Sequence, residues 1–273
     1  MTLAHTEISR MLETAIVAAR LAGQRAMEEL RYVRSTIKNQ NEMVTQADPI
    51  CQKIIMDRIK ETYPDDGFIA EEGLNGKQLK YPPRGSGTWW IIDPIDGTNN
   101  YGNGILCFSV SVAAVVDGKP VVGVIFDPAT ESMYTAALEG EAQLNGSRIQ
   151  VSDQEIGRFS SFGIDSHTDP TCSEGTGQII SRTRFRCLGS TALHMAYVAK
   201  GSMIGMAAAK VRLWDIAAGI LIIEQAGGKI ALLNGSPMLP IQPEQYEGQE
   251  YCILASNEKS YPKLLDLFRK KGR

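Results

Sequence analysis

Trp89-Trp90-Ile91-Ile92-Asp93-Pro94-Ile95-Asp96-Gly97-Thr98-Asn99-Asn100-Tyr101 is a short apolar run that ends in two carboxylates. Thr88 to Ile92 has the β-branched and aromatic content of a buried strand. Pro94 fixes its own φ and restricts Asp93, so the segment between the two acids is stiff. Two carboxylates three residues apart, with a backbone carbonyl between them, form a cluster of hard oxygens of the kind magnesium prefers. If Thr98 opens a helix or turn, the N–H groups there can hold a phosphoryl oxygen. Asp-Pro and Asp-Gly are also common turn pairs, and alone they would read as a surface turn. The buried approach tips the balance, because a chain leaving the core through two closely spaced acids wants a compensating cation.

Further acids stand at element boundaries on either side. Asp48 precedes Pro49 as a good helix N-cap and first helical residue. Glu71-Glu72 follows the short strand Phe68-Ile69-Ala70, and Asp215 sits between Trp214 and the apolar helix Ile216 to Gln225. Each has an ordinary structural role as a cap or a solvated charge, and spacing alone does not bring them together.

The remaining pattern gives a helix over Ile8 to Arg31 with its apolar stripe at 3 and 4 spacing, an extended stretch from Lys38 to Thr45, and a helix after Asp48 stopped by Tyr63-Pro64. Leu74 to Gly87 reads as a polar loop. Phe108 to Val116 and Pro120 to Phe126 are strands joined at Asp117-Gly118, a hairpin signal, and Glu131 to Ala137 and Glu141 to Val151 continue an antiparallel sheet. Beyond Val151 the character changes to alternating elements. These are strands at Ser160 to Ile164, Arg184 to Leu188 and Ile253 to Ala255, and helices at Gly175 to Ser181, Gly189 to Lys200, Ile216 to Gln225 and Pro262 to Lys270. The chain therefore divides into an α+β half, residues 1–150, and an α/β half, residues 151–273.

Composition bounds the function. The chain has 273 residues, 43% of them hydrophobic, enough for a substantial core; with 22% charged and a net charge of −3 there is no electrostatic reason to expect nucleic acid. No run of about 18 apolar residues is present, so no membrane-spanning helix is expected. Met1 to Leu12 lacks the features of a secretory leader. Cysteines 51, 107, 172, 187 and 252 show neither a disulfide nor a zinc pattern. A reducing cytoplasmic setting is the expectation. There is no G-x-S-x-G elbow and no G-x-x-x-x-G-K-[ST] loop. His5, His167 and His194 lack metal-ligand spacing, and His194 reads as structural.

Taken together, the Trp89–Tyr101 segment resembles the first signature of the inositol monophosphatase family. Trp214-Asp-Ile-Ala-Ala-Gly-Ile-Leu-Ile-Ile-Glu-Gln-Ala-Gly-Gly228 resembles the second. Phe68-Ile-Ala-Glu-Glu-Gly73, Val44-Thr-Gln-Ala-Asp48 and Leu188-Gly-Ser-Thr191 resemble three further segments in the family's order, so the likeness covers almost the whole chain. It implies a layered αβαβα fold of the α/β (α+β sandwich) class, usually a homodimer, and Mg2+-dependent, lithium-sensitive hydrolysis of a phosphate monoester. By position, Glu71, Asp93 and the carbonyl of Ile95 would hold one ion, and Asp93, Asp96 and Asp215 a second. A third ion would lean on Glu71 and water, and Mn2+ is a possible substitute. Thr98 and Asp48 would position the attacking water beside Glu71. Gly97 and Thr98 N–H groups would bind the phosphate, while Gly189, Ser190 and Thr191 would line the alcohol side. Such chemistry needs no serine or cysteine nucleophile, because divalent ions can clamp both the attacking and the leaving oxygens.

The substrate side departs from the pattern. Members specific for inositol phosphate carry an acid seven positions before the aspartate of Trp-Asp. Here that position is Ala208, which cannot accept a hydroxyl's hydrogen bond. Lys210 and Arg212 follow it, and Arg182, Arg184 and Arg186 precede Gly189. A cation facing the pocket would favour a second anionic group on the substrate. An inositol or polyol monophosphate therefore leads, with fructose 1,6-bisphosphate or another small ester as the alternative. A regulatory binding protein is the non-enzymatic alternative, since some relatives bind transcription machinery. Leu74 to Gly87 is expected to order when the weakest ion binds.

Overall fold

A computed structural model describes residues 3–37, 43–74, 77–166 and 173–269. His167, Cys172, Asn75 and Gly76, and Lys38 to Glu42 of the expected extended stretch, lie outside the described residues. The chain opens with helix α1 (His5–Glu29), whose stripe of Ile8, Met11, Ala15, Ala19, Ala22 and Ala26 is buried. The expected end at Arg31 falls in a tighter turn over Leu30–Tyr32. Short strands β1 (Ser35–Ile37) and β2 (Met43–Thr45) pair with each other. Helix α2 (Ala47–Lys60) follows.

Eight strands then build one sheet. They are β3 (Gly67–Ala70), β4 (Leu79–Tyr81), β5 (Thr88–Asp96), β6 (Ser109–Val116), β7 (Lys119–Asp127), β8 (Ser132–Ala137), β9 (Gln143–Leu144) and β10 (Ser147–Arg148), in the order β10-β9-β8-β7-β6-β5-β3-β4. All neighbours are antiparallel except β3 and β5, which run parallel. The Asp117-Gly118 hairpin forms as expected, both residues having positive φ, with Val116 opposite Lys119. The stretch from Leu74 to Gly87 is not all loop, because β4 lies within it and pairs with β3.

Helix α3 (Thr98–Gly102) leaves the end of β5. The second sheet contains β11 (Ser161–Ile164), β12 (Arg184–Arg186), β13 (Gly205–Val211), β14 (Gly228–Leu232) and β15 (Tyr251–Asn257), in the order β12-β11-β13-β15-β14. Its helices are α4 (Ser173–Arg182), α5 (Thr191–Ala199), α6 (Leu213–Gln225) and α7 (Tyr261–Arg269). Strands β13 and β14 escape a reading of pattern. The first is an alanine run of low strand propensity, and the second starts at the glycine pair that ends α6.

Alternation assigns the layers. In β5, Trp90 and Ile92 face a core shared with α1 and α2, while Trp89 and Ile91 face a second core built with α5 and α6. In β13, Met206 and Ala208 join that second core, and Ala207 turns to a third formed with Leu264, Leu267 and Phe268 of α7. Helix pair, sheet, helix pair, sheet and helix pair follow in succession, which is the layered α/β fold expected. Among the described residues no helix is long and apolar enough to cross a membrane.

Helix α6 approaches the first sheet closely where β7 carries Gly123, and a Cβ there would lie 2.6 Å from the Ala218 carbonyl oxygen. Gly123→Ala should therefore cost about 1–3 kcal/mol, the usual penalty for overpacking a rigid contact. Urea denaturation measures it, and unchanged stability would mean that α6 shifts freely on the sheet.

Candidate active site

The Asp93–Asp96 segment is not a loop beyond the strand. It is an irregularity within β5, with Asp93 opposite Ser111, Asp96 opposite Ser109, and the register broken between them. Pro94 cannot donate to the ladder, which accounts for the break. The Asp93 carboxylate accepts the Ile95 N–H at 3.0 Å, closing the turn on itself. Because β3 runs parallel to β5 with Ala70 opposite Ile92, Glu71 emerges beside Asp93, its N–H bonded to the Ile92 carbonyl at 3.3 Å. The backbone of Glu72 is held by the Gln52 side chain of α2 at both N–H (2.9 Å) and carbonyl (2.6 Å).

Asp215 reaches the same place from the second half of the chain. It is not the N-cap of α6. The helix starts at Leu213 and is capped at Arg212, and Asp215 reaches back to accept the Arg212 N–H at 2.7 Å. The Ser111 hydroxyl fixes the helix start by donating to the Trp214 carbonyl at 3.2 Å. Asp93, Asp96 and Asp215 each present an oxygen within 4.8 Å of the others.

Asp48 is likewise not an N-cap, since α2 already begins at Ala47. Its buried carboxylate accepts the Thr45 N–H at 2.8 Å, the Thr45 hydroxyl at 2.6 Å and the Thr98 hydroxyl at 3.2 Å. The Thr98 hydroxyl also lies 3.0 Å from the Ile95 carbonyl. Gly97, at φ +97°, turns the chain from β5 into α3, a backbone that a side chain would strain. A Cβ at Gly97 would stand 3.0 Å from the Gly189 carbonyl, so the halves of the chain meet here backbone to backbone.

Asp96 is the most heavily hydrogen-bonded of these acids. It accepts the Thr191 N–H at 3.2 Å, the Ala192 N–H at 2.8 Å, the Ser109 hydroxyl at 3.3 Å and the Ser190 hydroxyl. It thus sits at the N-terminus of α5, where backbone donors are unpaired within the helix.

Glu71, Asp93, Ile95, Asp96, Gly97, Thr98 and Asp215 line one cleft of about 520 Å3, together with Gly189 and Thr191. Of the residues expected to face substrate, Ser190 does not line it; its buried hydroxyl serves Asp96 and contacts Ser109 at 3.3 Å. Ala208 does not line it either. It is packed in the core between the sheets opposite Ile253, and Lys210 faces the cleft instead. Asp48 touches the site through Thr98. His194 is buried, accepts the Leu188 N–H at 3.1 Å and is pushed down to about 4 by burial, a structural role. Sequence reading passed over Ser109 and Ser111, although two hydroxyls at alternate positions of an otherwise apolar strand signal a polar site on one face. Asn100 was also missed; it donates to the carbonyls of Cys107 and Leu188, both at 2.7 Å, and so ties the two halves together.

The cluster is electrostatically incomplete. Burial pushes Asp48 up to about 6 and Asp96 up to about 6, the latter against its four donors. Burial and then the Asp96 charge push Asp215 up to about 8, and Asp93 is raised well above the ordinary carboxylate range by burial and by Glu71, Asp96 and Asp215. Among the described residues no lysine or arginine neutralises Asp93, Asp96 or Asp215. Three converging carboxylates are an oxygen-only donor set, which fits a hard divalent cation.

A family model described as the inositol monophosphatase family matches residues 7–273. The chain is 36% identical over 236 residues to the Nus factor SuhB of Pasteurella multocida, covering 82% of this chain and 86% of that protein. It is 36% identical over 200 residues to the fructose-1,6-bisphosphatase/inositol-1-monophosphatase of Thermotoga maritima, covering 71% of this chain and 73% of that one. The crystal structure of extragenic suppressor protein suhB from Bartonella henselae matches with a TM-score of 0.86 at 28% identity, over 96% of this chain and 99% of that one.

Raised carboxylate pKa values give a signed prediction for the metal-free protein. The stabilisation they contribute is complete below the ordinary carboxylate pKa and is lost as pH rises toward about 8. Asp93→Asn removes one charge from the cluster, so in chelator it should raise the thermal midpoint more at about pH 8 than at about pH 5. Calorimetry of the two proteins side by side cancels other titrations such as that of His194, and an equal shift at both pH values would refute the repulsion.

Proposed function

This chain belongs to the inositol monophosphatase family, and we propose that it is a magnesium-dependent phosphatase acting on phosphate monoesters of small polyols or sugars. The observation that carries this reading is the convergence of Asp93, Asp96 and Asp215, none of them paired with a lysine or arginine among the described residues, in the cleft that Glu71, Gly97 and Thr98 also line. Glu71, Asp93 and the Ile95 carbonyl would hold one ion, Asp93, Asp96 and Asp215 a second, and Glu71 with water a third. When bound, the ions supply the positive charge that draws in a phosphate dianion and the acidity that makes water a nucleophile near neutral pH.

The chain's own residues have separate tasks. The Gly97 and Thr98 N–H groups at the start of α3 would hold the phosphoryl oxygens. Thr98 and Glu71 would orient the attacking water. Asp48, whose Oδ1 faces the Thr98 hydroxyl at 3.2 Å, could take the water's proton through that hydroxyl. The water oxygen bonds to phosphorus, the ester P–O bond breaks, and the alcohol leaves with a proton, so one water is consumed per turn. Asp96 would carry its ion while anchored to α5, and Gly189 and Thr191 would border the alcohol. Residues 1–150 then supply most of the ion ligands and residues 151–273 supply Asp215 and the substrate side. The family resemblance adds lithium inhibition and a homodimer to the proposal.

The name of the Thermotoga relative, 36% identical, covers both a bisphosphatase and a monophosphatase and supports a small phosphorylated substrate. The Nus factor name of the Pasteurella relative favours a second reading, a binding role that requires no turnover. Hydrolysis of inositol 1-phosphate with magnesium, and its loss in chelator, separates the two. Asp93→Asn should lower kcat by about a thousandfold or more while the fold persists, because it weakens two ion positions at once. Near-wild-type turnover in this variant, or full turnover in chelator, would overturn the assignment.

A further inference from the structure

Strand β13 runs regularly against β15 from Gly205 opposite Ser256 to Ala208 opposite Ile253, then shifts register before Val211 meets Tyr251. The bulge contains Ala209 and Lys210, and Lys210 stands at φ +60°. A side chain other than asparagine or aspartate rarely takes that backbone, and a bulge re-aims the side chain it carries. Here Ala208 and Ala209 stay buried while Lys210 is exposed and lines the cleft.

Two cations, Lys210 and Arg212, stand among the described residues lining the cleft. The Arg212 guanidinium is engaged with the Gly248 carbonyl and with Glu250 at 3.2 Å. The Lys210 amine has no ion pair or hydrogen bond among the described residues. Asp165 and Ser166, which continue β11 beyond Ile164, line the cleft on the same side, and the Asp165 N–H bonds the Ala207 carbonyl at 3.2 Å. The first sheet and α3 thus bring Glu71, Asp93, Asp96 and Thr98, and the second sheet brings Lys210 and Asp165. A phosphate held at the first set leaves its alcohol portion to face the second.

From this we infer that Lys210 is a specificity residue that selects esters whose alcohol portion carries a further anionic group, a carboxylate or a second phosphate. The inference rests on the phosphatase reading above and names its substrate class. A lysine amine is a mobile point charge with three donors and suits either anion. The bulge thus brings an exposed cationic side chain to the cleft at a backbone of φ +60°.

The test measures kcat and KM with magnesium for two neutral-alcohol esters, inositol 1-phosphate and glycerol 2-phosphate. Two anionic-alcohol esters, fructose 1,6-bisphosphate and 3-phosphoglycerate, are measured beside them. The wild type should favour at least one anionic probe, and which one separates second phosphate from carboxylate. Lys210→Gly, which suits φ +60° and so should fold, is expected to lower the anionic-to-neutral ratio of kcat/KM by about tenfold or more, chiefly through KM. Lys210→Arg should keep most of the ratio. An unchanged ratio in Lys210→Gly would overturn the inference. So would an equal loss on all four esters with weaker inhibition by inorganic phosphate, which would put Lys210 on the transferred phosphate. Turnover of none of the esters, by contrast, would overturn the phosphatase reading itself.

Discussion

Three carboxylates that present oxygens within 4.8 Å of one another, two of them buried, are the constraint around which this molecule is arranged. Like charges at that separation repel strongly, and among the described residues no lysine or arginine is paired with them. The surrounding structure must therefore hold them in place against their repulsion. Asp93 is fixed by its own turn and by the two-sided burial of β5. Asp215 is fixed at the start of a helix whose other residues are almost all buried. The result is a site poised for positive charge, with the cost distributed over two cores.

Asp96 shows how that holding is done. Its carboxylate belongs to the first sheet, yet three of its four donors come from the start of α5, in the second half of the chain. The same contact satisfies unpaired helix donors and locks the orientation of the acid. Asn100, bonded to Cys107 and Leu188, and the backbone approach of Gly97 to Gly189 reinforce it within a few residues. The cleft is therefore a seam between halves, and a change on either side reaches the other through hydrogen bonds rather than through distance.

The two sides of the seam differ in character. The carboxylate side is an irregular stretch of β5 held by hydrogen bonds to its own turn, to β6 and to the start of α5. The other wall is made by a bulged alanine strand, with a strained lysine at its exposed point and an arginine beside it that is already engaged. The hydrogen-bonded carboxylates thus stand beside a wall whose charge and shape are set by the bulge in β13.

Much of this was legible in the linear sequence. The apolar approach to Asp93, the stiffening by Pro94, the hairpin at Asp117-Gly118 and the stripe of α1 are local patterns, and local sterics and burial decide them. Their positions also carried the family resemblance. What the sequence could not determine is where separate segments meet. Asp48 and Asp215 read as helix caps because a carboxylate beside a helix start has that local use, and only the packing of α2 and α6 on the sheet turned them toward the site. Ser190 read as substrate-facing, but Asp96 claims its hydroxyl across the seam. The register shift after Ala208 buries that residue and sends Lys210 into the cleft, an outcome set by pairing with β15, some forty residues away along the chain. Local chemistry determined which residues could do the work; long-range pairing and burial decided which of them face one another.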